Sequence, residues 1–164
     1  MTAEDTGLAE RTGQALLRRG WRLVSAESCT GGLLAANLTE IPGSSVWFEG
    51  AFVVYRLSAK TAIVGVDTAL LDTHGPVSEP VARAMAEGAL AHCDADIAVS
   101  ITGIAGPDGG DVTSPVGTVW FGWALREDGI IRCVQTAEHH LSGSRQMVRA
   151  QAVRVALEGV LALC

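Results

Sequence analysis

The stretch "WRLVSAESCTGGLLAANL" (residues 21–38) decides the fold, because it predicts a strand, a tight turn and a helix in direct succession. The apolar run at 21–26 has the composition of a short buried strand. Residues 27–30 then bring a carboxylate, two hydroxyls and a thiol, and two glycines precede a helical pattern. In open α/β proteins such strand-to-helix turns lie at the carboxyl end of a parallel sheet, where ligands bind.

Outward from this stretch, the sequence continues to alternate helical and strand patterns. Asp128 and Gly129 favour a hairpin turn between the last two strands, and Ser58 and Ser78 are expected to cap helices. Helices are predicted at 6–20, 30–40, 58–66, 78–93 and 144–163, and strands at 21–26, 46–55, 96–102, 116–125 and 129–139. Residues 67–78 are expected to be a turn-rich connector with one helical turn. The last helix is expected to bury Met147, Val148, Ala152, Val155, Ala156 and Val160.

This alternation predicts an α/β fold in one domain spanning residues 1–164. The continuous apolar strand at 96–102 is of the kind that is buried on both faces of a sheet. We therefore expect a three-layer α/β/α sandwich with a mixed, mainly parallel sheet that includes one C-terminal β-hairpin.

Composition excludes several classes of protein. The chain has 164 residues, 48% of them hydrophobic and 18% charged, and a net charge of −6. There is no apolar run long enough to span a bilayer, no signal-peptide pattern and no Lys/Arg cluster for nucleic acid. Four scattered cysteines lack metal-site spacing and are expected to be reduced, so we expect a cytoplasmic protein without metal or cofactor. Alanine-rich helices suggest a homo-oligomer of unspecified size.

Lys60 is unusual because it is the only lysine among twelve basic residues. Lysine can lose its proton in a protein when its surroundings lower its pKa, whereas arginine cannot. Lys60 is therefore a candidate base, and Tyr55, the only tyrosine, lies five residues before it. Alternatively, Lys60 is a solvated charge in the first turn of a helix, and Tyr55 is an aromatic residue at the end of a strand.

The turn at 27–32 offers a nucleophile and an oxyanion site. Ser28 could attack a carbonyl, although a serine at such a position more often caps the helix. N–H groups of a helix beginning near Thr30 and Gly31 would favour a developing oxyanion. Glu27 could face a ligand or complement the helix dipole. None of the four histidines lies in a persuasive context for a base, with His74 the best placed, so a Ser–Lys pair is the arrangement to consider.

Two other features could bind a ligand. Thr102 ends the buried strand, and the glycines after it, among them Gly103 and Gly106, free the backbone to wrap a ligand. This loop is neither a Walker loop nor a dinucleotide fingerprint. Arg145 and Arg149 share one face of the last helix and could hold a phosphate or form a solvated patch.

Taken together, these segments resemble the CinA C-terminal domain family, also called competence/damage-inducible proteins. The resemblance rests on "AESCTGG", "SAKTAIVGV", "HGPVSEPVARAMAEGA", "SITGIAGPDGGDVTSPVGTVWFG" and "GSRQMVRAQAV", and it extends from about Leu8 to Ala162. Stand-alone members resemble amidases that hydrolyse nicotinamide mononucleotide to nicotinate mononucleotide and ammonia. The resemblance therefore implies such an activity, with a small-molecule nucleotide as substrate.

The resemblance also implies roles for individual residues. Ser28 would be the nucleophile, Lys60 its activating base and Tyr55 a hydrogen-bonding partner, while Thr102 would contact substrate or oxyanion and Arg145 the phosphate. With the candidates from the sequence itself, the expected substrate-binding set is Glu27, Thr30, Gly31, Thr102, Gly103, Gly106, Arg145 and Arg149.

The chain departs from the family pattern at two places. It has "YRLSAK" where the family reads close to Y-S-N-x-x-K, and Ser144 where an aspartate is common.

The alternative functions are a catalytically silent nucleotide-binding or assembly module and an amidase for a different carboxamide.

Overall fold

The computed structural model describes residues 3–164, in which five strands form one mixed sheet. The strands are β1 (Leu23–Glu27), β2 (Phe48–Val53), β3 (Ile97–Gly103), β4 (Thr118–Glu127) and β5 (Ile130–His140). Their order across the sheet is β2-β1-β3-β4-β5. β1 pairs in parallel with β2 and β3, and the β3–β4 and β4–β5 pairs are antiparallel. The predicted mixed sheet is confirmed. Two of its four strand pairings are parallel and two are antiparallel, because the C-terminal hairpin adds both antiparallel pairings.

Helices cover both faces of this sheet, which confirms the three-layer sandwich. They are α1 (Ala3–Arg19), α2 (Leu33–Thr39), α3 (Leu57–Val64), α4 (Thr68–His74), α5 (Glu79–Ala91) and α6 (Arg145–Leu163). One core packs α1, α2 and α6 on one face through side chains such as Leu16, Leu38 and Val153. The other core packs α3, α4 and α5 on the opposite face through Val64, Leu71 and Met85.

The hairpin and the buried strand form as their sequences predict. Asp128 and Gly129 take positive φ values of 50° and 78°, the backbone that a tight two-residue hairpin needs. From Ile97 to Thr102 every residue of β3 is buried, as its unbroken apolar run predicts.

Several local predictions are wrong. α3 begins at Leu57 with Arg56 at its N-cap, so Ser58 lies inside the first turn and caps nothing. Ser78 does occupy the N-cap of α5, but its hydroxyl donates to the Gly75 carbonyl at 2.9 Å instead of accepting from the helix. Met147 is 55% exposed although Val148, next to it in the first turn of α6, is buried, and Val155 is only partly buried.

The connector at 67–78 is also more ordered than predicted. It contains the seven-residue helix α4, which begins where the Asp67 side chain accepts a hydrogen bond from the Ala69 N–H at 2.9 Å. Within residues 3–164, no helix combines the length and hydropathy that crossing a bilayer requires.

The topology brings loops from distant parts of the chain to one edge of the sheet. The chain leaves β1 through α2 on one face to reach β2, then returns on the opposite face to β3 on the other side of β1. A crevice forms at the carboxyl ends of strands where the winding reverses in this way. Because β5 runs parallel to β3 in direction, the chain also enters α6 from this edge.

Candidate active site

Ser28 and Lys60 meet at this edge of the sheet. Ser28 directly follows β1, and its N–H donates to the Ile101 carbonyl of β3 at 2.9 Å. Lys60 Nζ lies 2.8 Å from Ser28 Oγ and donates a second hydrogen bond to the Val54 carbonyl at 2.9 Å. The structure thus joins two residues 32 positions apart in the geometry of a nucleophile and its base.

The environment of Lys60 destabilises the charged form of its amine. The side chain is 1% exposed, and its hydrogen-bond acceptors are a hydroxyl and a carbonyl, neither of which is charged. Burial lowers the pKa of Lys60 from 10.5 to about 8, because the charged form loses its hydration. An amine with this pKa supplies neutral base near physiological pH.

Glu27, the last residue of β1, is fully buried and binds the start of α2. Its carboxylate accepts hydrogen bonds from the N–H groups of Gly32, Leu34 and Ala35 at 2.9, 3.1 and 2.9 Å. A carboxylate at this position satisfies donors that have no partner within the helix and complements the helix dipole. Of the two alternatives for Glu27, the structure therefore favours the helix-start acid.

A cleft of about 740 Å³ opens above Ser28 and Lys60. One wall is the loop after β3 and the other is the junction between β2 and α3. Of the predicted site residues, those that line it are Ser28, Tyr55, Lys60, Thr102, Gly103, Gly106 and Arg145. The volume is in the range of clefts that hold a small-molecule ligand.

Arg145 connects the two walls of the cleft. One terminal nitrogen of its guanidinium donates to the Gly106 carbonyl at 2.8 Å, and the other donates to the Tyr55 hydroxyl at 3.1 Å. On the floor, Thr102 Oγ1 donates to the Pro76 carbonyl at 2.7 Å and so fixes the segment before α5. The glycine loop is thereby held by the Arg145 side chain as well as by its backbone.

Four predicted substrate-binding residues lie outside the cleft lining: Glu27, Thr30, Gly31 and Arg149. Arg149 lies behind the turn, where it donates to the Thr30 carbonyl at 2.7 Å. The Gly31 N–H donates to the Ser28 carbonyl at 3.0 Å, so it is not available to a ligand. The reason is that α2 begins at Leu33 and not near Thr30, which leaves 28–31 as a closed turn.

The cleft also contains residues that the sequence did not single out for ligand contact. Cys29 and Asp108 line it, as do Pro76 and Val77 from the segment before α5. Burial raises the pKa of the Cys29 thiol to about 11, so the thiol stays protonated beside Ser28. In the described residues, no three His, Cys, Asp or Glu side chains form a group that could hold a metal ion.

Comparisons with known proteins agree with this architecture. A relative from Escherichia coli (strain K12), named nicotinamide-nucleotide amidohydrolase PncC, is 52% identical over 152 residues, covering 92% of this chain and 89% of the relative. A relative of the same name from Enterobacter agglomerans is 47% identical over 154 residues, covering 94% and 92%.

The fold is also that of a solved structure. The crystal structure of the competence/damage inducible protein CihA from Agrobacterium tumefaciens matches with a TM-score of 0.93 at 40% identity, covering 99% of this chain and 97% of that one. The family model for the CinA C-terminal domain matches residues 5–164. The resemblance inferred from the sequence is therefore confirmed, and the chain belongs to the CinA C-terminal domain family.

Proposed function

We propose that this chain is an amidohydrolase that converts nicotinamide mononucleotide to nicotinate mononucleotide and ammonia. The observation that carries the proposal is the 2.8 Å contact between Lys60 Nζ and Ser28 Oγ at the base of a cleft. The names of relatives about half identical over most of the chain support the choice of substrate.

In the first step, Ser28 Oγ attacks the carboxamide carbon while the neutral Lys60 amine accepts the hydroxyl proton. The Val54 carbonyl accepts one N–H of Lys60, and rotation about the Cε–Nζ bond lets the neutral amine turn its lone pair toward the Ser28 hydroxyl. With a pKa of about 8, Lys60 is neutral in roughly a tenth of molecules at pH 7. An ordinary lysine would be neutral in well under about a thousandth of molecules at that pH.

The tetrahedral intermediate carries a negative oxygen that needs a donor. Among residues 3–164 no other residue accepts a hydrogen bond from the Cys29 N–H, which faces only its own thiol, and Cys29 lies at the cleft wall beside Ser28. The residue after a nucleophile is well placed for this task, because its N–H points toward the developing oxyanion. We assign the oxyanion to Cys29 instead of Thr30, which is fully buried.

The intermediate then collapses as the Lys60 ammonium returns its proton to the departing nitrogen, which leaves as ammonia. An ester between Ser28 and the pyridine carbonyl remains. Water attacks this ester with Lys60 again as base, and Ser28 leaves with the proton to release the carboxylic acid. Each proton taken by Lys60 is returned within the same half-reaction, so the cycle closes without another reactant.

The remaining predicted roles fit this sequence of steps as parts of the proposal. Thr102 and the glycine loop would contact the pyridine end, and Arg145, already held by Tyr55 and Gly106, would face the phosphate. All four cysteines are unpaired, which suits the reducing cytoplasm. The single-domain and homo-oligomer expectations stay predictions.

The test is to incubate the purified chain with nicotinamide mononucleotide and to measure ammonia and nicotinate mononucleotide together. We expect equimolar products from the wild type and at least about a thousandfold less from Ser28→Ala. Ser45→Ala is the matched control, because it makes the same change near the amino end of β2, at the opposite edge of the sheet.

The outcomes distinguish the proposed amidohydrolase from a catalytically silent module and from an amidase of different specificity. Unchanged ammonia release by Ser28→Ala, with the fold verified by circular dichroism, would contradict the nucleophile assignment. Nucleotide binding without ammonia would instead support a catalytically silent module. Ammonia released from other carboxamides, and not from this one, would point to an amidase of different specificity.

A further inference from the structure

The cleft is cationic although the chain is acidic. The chain carries 12 Lys and Arg against 18 Asp and Glu, a net charge of −6. Three of those cations, Arg56, Lys60 and Arg145, line the cleft, whereas Asp108 is the one acidic residue that does so. The balance of charge is therefore reversed at the cleft, which favours a ligand with an anionic group.

Two of these three cations are already engaged by the protein. Lys60 contacts Ser28 and Val54 at the base of the cleft, and Arg145 donates to Gly106 and Tyr55 across it. The Arg56 guanidinium makes no hydrogen bond or ion pair with the described part of the chain. It is exposed at the wall of the cleft that Arg145 also lines, next in sequence to Tyr55.

The backbone of Arg56 is fixed even though its side chain is free. Arg56 is the N-cap residue of α3, and its carbonyl accepts hydrogen bonds from the N–H groups of Ala59 and Lys60, both at 3.1 Å. Its guanidinium has only donor groups and makes no capping hydrogen bond to the helix, so a substitution removes no cap. Arg56 thus places a cation at the mouth of the cleft, and its side chain makes no hydrogen bond or ion pair within residues 3–164 that stabilises the fold.

We propose that Arg56 is a specificity-determining residue that contacts the substrate phosphate, so that the enzyme selects the nucleotide over the corresponding nucleoside. This inference rests on the proposed function for the identity of the substrate. A guanidinium can donate two parallel hydrogen bonds to a phosphate, which a neutral side chain cannot replace. Arg145, held by Gly106 and Tyr55, would provide a second, prearranged cation in the same cleft.

The test measures the phosphate preference by binding, which needs no turnover. Dissociation constants for nicotinamide mononucleotide and for nicotinamide riboside are measured by calorimetry with Ser28→Ala as the parent protein. Arg56→Gln is then added to this parent. We expect nucleotide affinity to fall about 10- to 100-fold and nucleoside affinity to change less than about twofold. Arg56→Lys should retain a large part of the preference, and added salt should reduce it.

Arg11→Gln in the same parent is the matched control, because it removes an exposed arginine of α1 that is not among the residues lining the cleft. It should leave both affinities unchanged. An equal nucleotide preference in parent and Arg56→Gln, or an equal loss with Arg11→Gln, would overturn the assignment, as would a parent that does not bind the nucleotide.

Failure of the proposed reaction can be distinguished from failure of the Arg56 assignment. A wild type that binds the nucleotide with an Arg56-dependent preference, yet releases no ammonia, would retain the inference and reject the reaction. A wild type that releases ammonia with no dependence of its KM on Arg56 would retain the reaction and reject the inference.

Discussion

Replacing Lys60 by methionine should change how the stability of the protein depends on pH. Methionine keeps the length and packing of the side chain but carries no charge. In the wild type, burial lowers the pKa of Lys60 from 10.5 to about 8. Between these two values the unfolded chain binds a proton that the native protein releases, so wild-type stability must rise with pH.

The size of the effect follows from the two pKa values. Burial of the charged amine costs about 3.4 kcal/mol at about pH 6.5, and about 1.4 kcal/mol remains at about pH 9.5. The free energy of unfolding of the wild type, relative to Lys60→Met, should therefore rise by about 2 kcal/mol over this range. The variant also loses the hydrogen bonds to Ser28 and Val54, but that loss is the same at each pH and does not affect the slope.

The assay is urea unfolding of both proteins at several pH values between these limits, followed by circular dichroism. Taking the difference between the two proteins cancels the titration of all other groups that the substitution leaves unchanged. A difference that stays constant to within about 0.5 kcal/mol across the range would refute the reasoning. It would mean that Lys60 keeps an ordinary pKa and is too seldom neutral to act as the base.

The same structure also predicts the pH profile of the reaction and the effects of substituting Glu27, Gly159 and Gly7. The logarithm of kcat/KM should rise with pH and level off above an apparent pKa near that of Lys60, about 8, and a rate that falls over this range would contradict a neutral amine as base. Glu27→Gln should lower the free energy of unfolding by roughly 2–3 kcal/mol in urea titrations, because an amide cannot accept all three N–H groups at the start of α2. Gly159→Ala would place a methyl carbon 2.2 Å from the Trp123 ring and should destabilise by roughly 1–3 kcal/mol. Gly7→Ala meets nothing within 4 Å and should stabilise α1 by up to about 1 kcal/mol, so equal effects at both glycines would contradict the packing.

The fold could largely be predicted because its signals are local. The unbroken apolar run of β3, the Asp128-Gly129 turn and the strand-to-helix turn after β1 each specify one element without reference to the rest of the chain. The predictions that failed depend on where an element begins. The helix pattern after Thr30 was visible, but positive φ at Gly31 and Gly32 delays α2 until Leu33.

The site could be predicted in part for the same reason. Ser28 and Lys60 were identifiable from the turn and from the single lysine, and the structure brings them together. The positions of Arg145 and Arg149 could not be read from the sequence, because their partners Tyr55 and Thr30 are 90 and 119 residues away. Both arginines share a helical face, yet one reaches the cleft and the other supports the turn behind it.

If Ser28 forms an ester with the substrate, hydroxylamine should trap that ester, and this trapping is the most direct test of the mechanism. Hydroxylamine attacks an ester acyl-enzyme in place of water and gives a hydroxamate. We expect the wild type, incubated with nicotinamide mononucleotide and hydroxylamine, to form this hydroxamate at the expense of the acid, and Ser28→Ala to form none. Continued release of ammonia with only the free acid, at every hydroxylamine concentration, would contradict the account and indicate direct attack by water.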